Sequence, residues 1–283
     1  MYNKDMKNLL PTLKVNEQEV LDYLIKEKRG IFDLVLDKPL IESKGLLSPV
    51  FVKKMKALDL IQPLQWGRYV VASKEKPTTS PLYYNSEVLP KILLERLKMD
   101  YYLSWHSALW HYGLIDQQSS TIFTAIKERK KDFRSNALSV KFVTISSTKF
   151  FGFKTVSFLG HKVNMATPEK GLVDCFDHPE FAGPYGVVVN ALKEAWDKGL
   201  ITGEALTKTI LQMDSPTLNR RLGFWMERYE IPGSEKLLPY LGRGYAVLLS
   251  PGRYQKSELP WKVNRKWRIL EDEQIIYTAE HLK

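Results

Sequence analysis

Apolar positions return every three or four residues in the first third of the chain, and polar signals break the pattern into short pieces. Asn16 opens NEQE, an N-cap residue with Glu19 three positions on, the spacing of a capping box. Val20, Leu21, Leu24 and Ile25 follow at helical spacing as far as the basic end KEKRG, where Gly30 stops the helix. The next segment, IFDLVLDKPLIESKG, is ambiguous. A short helix fits from Phe32 to Leu36, and Pro39 forbids one long helix across the whole.

Ser48-Pro49 is a second start signal, a capping serine with proline at the first helical position. At roughly 100° per residue, Phe51, Met55 and Leu58 fall on one side of this helix. Lys53, Lys56 and Ala57 fall opposite, with Val50 and Lys54 on the flank. Leu60–Leu64 and Arg68–Ala72 read as two strands around the hairpin connection Gln65-Trp66-Gly67.

Helix, ambiguous short helix, basic helix, hairpin is the order of a winged helix-turn-helix. The predicted DNA-contacting residues are Ser48, Val50, Lys53, Lys54, Lys56 and Ala57 on a recognition helix, with Trp66 and Arg68 on the wing. A lysine run of this kind is more often a solvated helix face. The hairpin placed directly after it favours DNA.

SKEKPTTSPLYYNS, Ser73 to Ser86, has the composition of a linker. It sets a DNA-binding domain over residues 1–76 against a larger domain over 77–283. The predicted fold class is α+β, a winged helix-turn-helix followed by a mixed α/β domain. In that second domain helices are expected over Ser86–Leu97, Trp105–Tyr112, Pro168–Phe176 and Tyr185–Lys198, with two more between Thr202 and Tyr229. Strands are expected over Thr121–Ile126, Lys141–Ile145, Thr155–Phe158, Lys162–Ala166 and Ala246–Leu249.

Composition narrows the classes. With 44% hydrophobic residues in 283, the chain can build packed cores. No apolar run reaches the length of a membrane span, and the first residues lack the apolar core of a signal peptide. Cys175 is the only cysteine and the five histidines are scattered, so no disulfide and no metal site are expected, and the expected compartment is a reducing cytoplasm. The net charge of +10 suits a polyanionic partner. It is spread evenly, with 14 Lys and Arg against 10 Asp and Glu up to Lys76 and 28 against 22 beyond. Local placement therefore has to carry any case for DNA.

Three stretches could hold other chemistry. In TPEKGLVDCF, Thr167 caps, Pro168 takes the first helical position and Glu169 complements the positive helix end. Glu169 and Asp174, five apart, share no face, which argues against a catalytic pair. The ExK kernel of many nucleases occurs at Glu42-Ser43-Lys44 and at Glu128-Arg129-Lys130, the latter with Asp116 upstream. Such a site needs carboxylates converging on one divalent ion. The basic clusters KERKKDFR (Lys127–Arg134) and WKVNRKWR (Trp261–Arg268) could lie on phosphates. The second also reads as an edge strand with Val263 and Trp267 packed inward, the favoured account. No phosphate loop, dinucleotide fingerprint or nucleophile elbow is present, so no enzyme and no cofactor are expected.

Four stretches carry a resemblance: GRYVV at Gly67, YYLSWHSALWHYGL at Tyr101, MATPEKGLVDC at Met165 and NRRLGFWMER at Asn219. In their order the chain resembles the AbiEi family, antitoxins and transcriptional repressors of type IV toxin–antitoxin modules used in phage defence. The resemblance implies a winged-helix N-terminal domain and a C-terminal domain for antitoxin work and cooperative assembly on DNA. It also implies binding to inverted repeats in the module's own promoter. The implied functional partner is a nucleotidyltransferase-like toxin, counteracted without a stable complex. The expected function is thus a sequence-specific repressor and antitoxin, without membrane partner. Its rivals are a metal-dependent nuclease targeted by the N-terminal module, and a nucleic-acid-binding accessory protein without operator specificity.

Overall fold

The computed structural model describes residues 13–26, 31–58, 60–63, 67–71, 87–95, 97–134, 139–158, 161–247, 262–271 and 276–277. It divides into two units, Met1–Leu89 with Ser135–Leu138, and Pro90–Arg134 with Ser139–Lys283.

In the first unit α1 spans Val15–Lys26. Its capping carboxylate is Glu17, whose Oε2 accepts the Lys14 amide at 2.7 Å. That is half of a capping box, set two residues earlier than the Asn16/Glu19 spacing suggests. Asn16 instead donates to the Lys44 carbonyl (3.0 Å), and Glu19 pairs with Lys44 Nζ (2.8 Å). The expected stop at Gly30 lies outside the described residues.

Residues 32–36 do not form the short helix considered for them. Ile31–Asp33 is a strand, β1, and the chain turns directly after it. The Asp33 carboxylate causes the turn by accepting the Val35 and Leu36 amides at 2.9 and 3.3 Å. Asp37 reaches back to the Asp33 amide at 2.8 Å. The helix, α2, comes later, at Lys38–Ser43, with Pro39 in the first turn, where a missing N–H costs nothing.

A turn follows in which Gly45 adopts φ +72°. Gly45 and Leu46 return their amides to the carbonyls of Glu42 (2.9 Å) and Ile41 (3.3 Å), a Schellman closure that a Cβ would strain. Then come α3 (Ser48–Ala57), β2 (Ile61–Pro63) and β3 (Arg68–Val71). The antiparallel sheet runs β1-β3-β2, with Phe32 opposite Tyr69 and Gln62 opposite Val70. Val20, Leu21 and Leu24 of α1, Ile41 of α2, Phe51 and Met55 of α3, and Ile61 and Val71 of the sheet share one core.

The second unit is a mixed α/β fold. Its strands are β4 (Tyr101–Leu103), β5 (Thr121–Ile126), β6 (Phe133–Arg134), β7 (Ser139–Thr144), β8 (Phe153–Phe158) and β9 (His161–Ala166). They form one sheet ordered β6-β7-β5-β4-β9-β8, parallel at β5/β7 and β4/β9 and antiparallel elsewhere. The helices are α4 (Leu89–Glu95), α5 (His106–His111), α6 (Pro168–Asp177), α7 (Tyr185–Asp197), α8 (Gly203–Gln212) and α9 (Pro216–Arg228). These elements fall close to their predicted bounds, while β4 and β6 are too short to show a period.

Buried α6 packs on α5, α7, α8 and α9. Thr167 caps it as predicted, accepting the Lys170 amide. A small second sheet, β10 (Ala246–Val247), β12 (Ile269–Glu271) and β11 (Lys262–Asn264) in that order, lies against α9. Trp267 locks it there: a Cβ on Gly223 would come within 2.1 Å of its ring. In WKVNRKWR, Trp267 is fully buried as expected, but Val263 is 46% exposed on the edge strand, so only one of the two apolar residues packs inward. Trp261 lies outside the described residues.

Candidate nucleic-acid interface

α3 presents two unlike faces. Phe51 and Met55 are buried and Lys53, Lys56 and Ala57 exposed, as the 100° spacing predicts. Val52 is also buried, Leu58 is only half-buried, and of the flank residues Val50 is exposed and Lys54 half-buried. Ser48 departs from its expected roles as cap and DNA contact. The capping position is Leu47, and Ser48 is 2% exposed, its hydroxyl buried without a hydrogen-bond partner. The rotation that seats Phe51 and Met55 in the core turns Ser48 inward with them, so it presents nothing to a ligand.

Two of the predicted DNA contacts are tied into the protein. Lys54 Nζ lies 2.6 Å from Glu17 Oε2 on α1. Burial acts to raise the Glu17 carboxyl, but Lys54 and the Lys14 amide outweigh it and hold the group below the usual glutamate range. Arg68 Nε is 3.2 Å from Asp33 Oδ2, with only 13% of its side chain exposed. Asp33 too is held low: burial acts to raise it, and the Val35 and Leu36 amides with Arg68 reverse the effect. Arg68 therefore staples β3 to the turn after β1 instead of projecting from the hairpin. Trp66 lies outside the described residues.

What the fold brings together is smaller and more coherent. Lys56 Nζ sits 5.2 Å from the centre of the Tyr69 ring on β3, and Tyr69 stacks on Phe32 at 5.3 Å. The exposed side of α3 thus continues onto the hairpin strand through a cation–π contact. Among the described residues neither Lys53 nor Lys56 has a carboxylate partner. Two solvated ammonium groups beside an exposed helix suit phosphates of a duplex.

The nuclease kernels do not assemble. Glu42 pairs with Lys38 at 3.7 Å and Lys44 with Glu19, while Glu128 and Asp116 are exposed side chains. No group of three His, Cys, Asp or Glu side chains that could hold a metal ion occurs among the described residues.

The TPEKGLVDC stretch holds an arrangement that the Glu169/Asp174 spacing did not suggest. Lys170 is fully buried and ion-paired with Asp174 one turn on. Lys170 Nζ also donates to Tyr102 Oη (3.0 Å), and Ser104 Oγ to Asp174 Oδ2 (2.6 Å). The Lys170 ammonium lies 5.0 Å from the Phe151 ring centre. Burial raises the Asp174 carboxyl against the pull of Lys170 and the Ser104 hydroxyl. Burial likewise pushes up the Tyr102 hydroxyl and the neighbouring Cys175 thiol. Enclosed and saturated with bonds, these groups fix α6 to β4. The i,i+4 pair was the sequence signal for them.

No helix among the described residues is long and apolar enough to cross a membrane. No family model matches the chain, and no curated protein matches it. Among solved structures the chain is similar to the crystal structure of the RV2827C protein from Mycobacterium tuberculosis. The TM-score is 0.68 at 12% identity, over 95% of this chain and 94% of that one. At that identity the likeness concerns the fold alone.

Proposed function

We propose that the first unit is a winged helix-turn-helix that binds double-stranded DNA, with α3 as recognition helix and β2–β3 as wing. On this reading the protein is a sequence-specific transcriptional repressor acting on inverted repeats in its own promoter. The observation that carries it is the solvated Lys53–Lys56 side of α3, joined to the hairpin by the Lys56–Tyr69 contact. The element order α1-β1-α2-α3-β2-β3 and the sheet order β1-β3-β2 support it, since α2 and α3 follow one another and touch, and β2 packs next to α3, as the reading requires.

The resemblance of the Tyr101, Met165 and Asn219 stretches to AbiEi proteins extends the reading. The second unit is then the antitoxin part of a type IV module, opposing a nucleotidyltransferase-like toxin, and copies assemble cooperatively on DNA. The test titrates the full chain against the DNA upstream of its own gene and against a shuffled duplex of equal composition. It then co-expresses the chain with the nucleotidyltransferase-like protein of the same module. Tighter binding to the upstream DNA and relief of growth arrest are expected. Equal binding to both duplexes removes the repressor reading, and persistent arrest removes the antitoxin reading.

A further inference from the structure

The outward line of α3 is not uniformly cationic. Val50 and Ala57 share it with Lys53, exposed Leu47 stands just before it at the capping position, and Lys56 leans to the Tyr69 side and Lys54 to the Glu17 side. Leu47 is 69% exposed and Val50 60%, one turn apart at the start of the helix. Covering these two side chains with a ligand beside Lys53 would remove apolar area from water, a favourable contribution to binding. In the major groove the base edge that takes an apolar contact is the C5-methyl of thymine.

We propose that Leu47 and Val50 read thymine methyl groups, so that each half-site presents thymines to the start of α3, with Lys53 and Lys56 on phosphates beside them. This inference rests on the winged-helix reading. It deepens that reading by assigning specificity to apolar contacts instead of to hydrogen-bonding side chains.

The test selects binding sites from random-sequence duplexes with the full chain. Each enriched thymine is then replaced by deoxyuridine, which removes the methyl and leaves base pairing intact. Losing one buried methyl contact should weaken binding about fourfold per contacted thymine. The penalty should disappear in Val50→Ala or Leu47→Ala, whichever contacts that thymine. Both residues are exposed, so both variants should keep the wild-type melting profile. Full affinity for deoxyuridine duplexes overturns the proposal, as does a penalty that survives in both variants. If binding with these outcomes still depends on Lys53, the winged-helix reading stands and only the thymine assignment falls. If no duplex is enriched and Lys53→Ala changes nothing, both fall together.

Discussion

Lys54 on α3 is bound to Glu17 on α1: Nζ and Oε2 are 2.6 Å apart, and the carboxylate also closes the first turn of α1 through the Lys14 amide. One acidic side chain thus caps one helix and anchors another. It also withdraws one of the three lysines expected to contact DNA. Lys54→Met should therefore loosen the packing of α1 on α3, leaving a shielded carboxylate without its cation at a cost of about 1–3 kcal/mol. Hydrogen-exchange protection of α3 amides measures this directly. Unchanged protection would mean that the pair contributes nothing.

Arg68 makes a parallel case. Its bond to Asp33 ties β3 to the Asx-turn that starts α2, so Arg68→Ala should lower protection across β1 and β3. Tyr69→Ala should cost less than removal of a fully buried ring, about 3–5 kcal/mol, because Tyr69 is only half-buried against Phe32. Loss of DNA affinity in Arg68→Ala with protection intact would return Arg68 to the interface.

The same two carboxylates predict an acid response. Both are held below their ordinary values of 4.5 for Glu17 and 3.8 for Asp33. A depressed carboxyl stabilises the fold above its unfolded value, and that contribution is lost as pH falls through the folded one. Glu17→Gln should thus be less protected than wild type at neutral pH, and the two should converge as the pH drops below the glutamate range. A gap that widens on acidification would contradict the assignment.

In the second unit, Lys170→Met leaves the Asp174 carboxyl buried without its cation, and should destabilise the surroundings of α6 by about 3–5 kcal/mol. Adding Asp174→Asn removes the stranded charge and keeps an acceptor for Ser104, so the double variant should regain stability. Urea unfolding, read by protection of α6 amides, compares the two. A double variant weaker than Lys170→Met would show that the charge of Asp174 is not the cost.

What could be read in advance follows the range of the interaction. The buried and exposed sides of α3 were legible because a helix repeats every few residues, and Thr167 capped α6 as its position before Pro168 implied. The partners of Lys54 and Arg68 were not, because Glu17 and Asp33 lie 37 and 35 residues away in sequence. β1 was missed because a three-residue strand has no visible period, and Asp33 turned the chain where apolar spacing favoured a helix. For Lys170, the i,i+4 relation to Asp174 was present, but a surface lysine and a buried one look alike until β4 supplies Tyr102 and Ser104.

On the proposed reading α3 binds duplex DNA through Lys53 and Lys56 while Lys54 serves the fold. The salt dependence of full-chain binding to the upstream duplex tests it for wild type, Lys53→Ala/Lys56→Ala and Lys54→Ala. The double variant should lose affinity, and its slope of log K against log salt should shrink by about 0.9 for each phosphate contact removed. Lys54→Ala should keep the wild-type slope. An unchanged slope in a folded double variant, or an equal decrease in Lys54→Ala, would contradict the account.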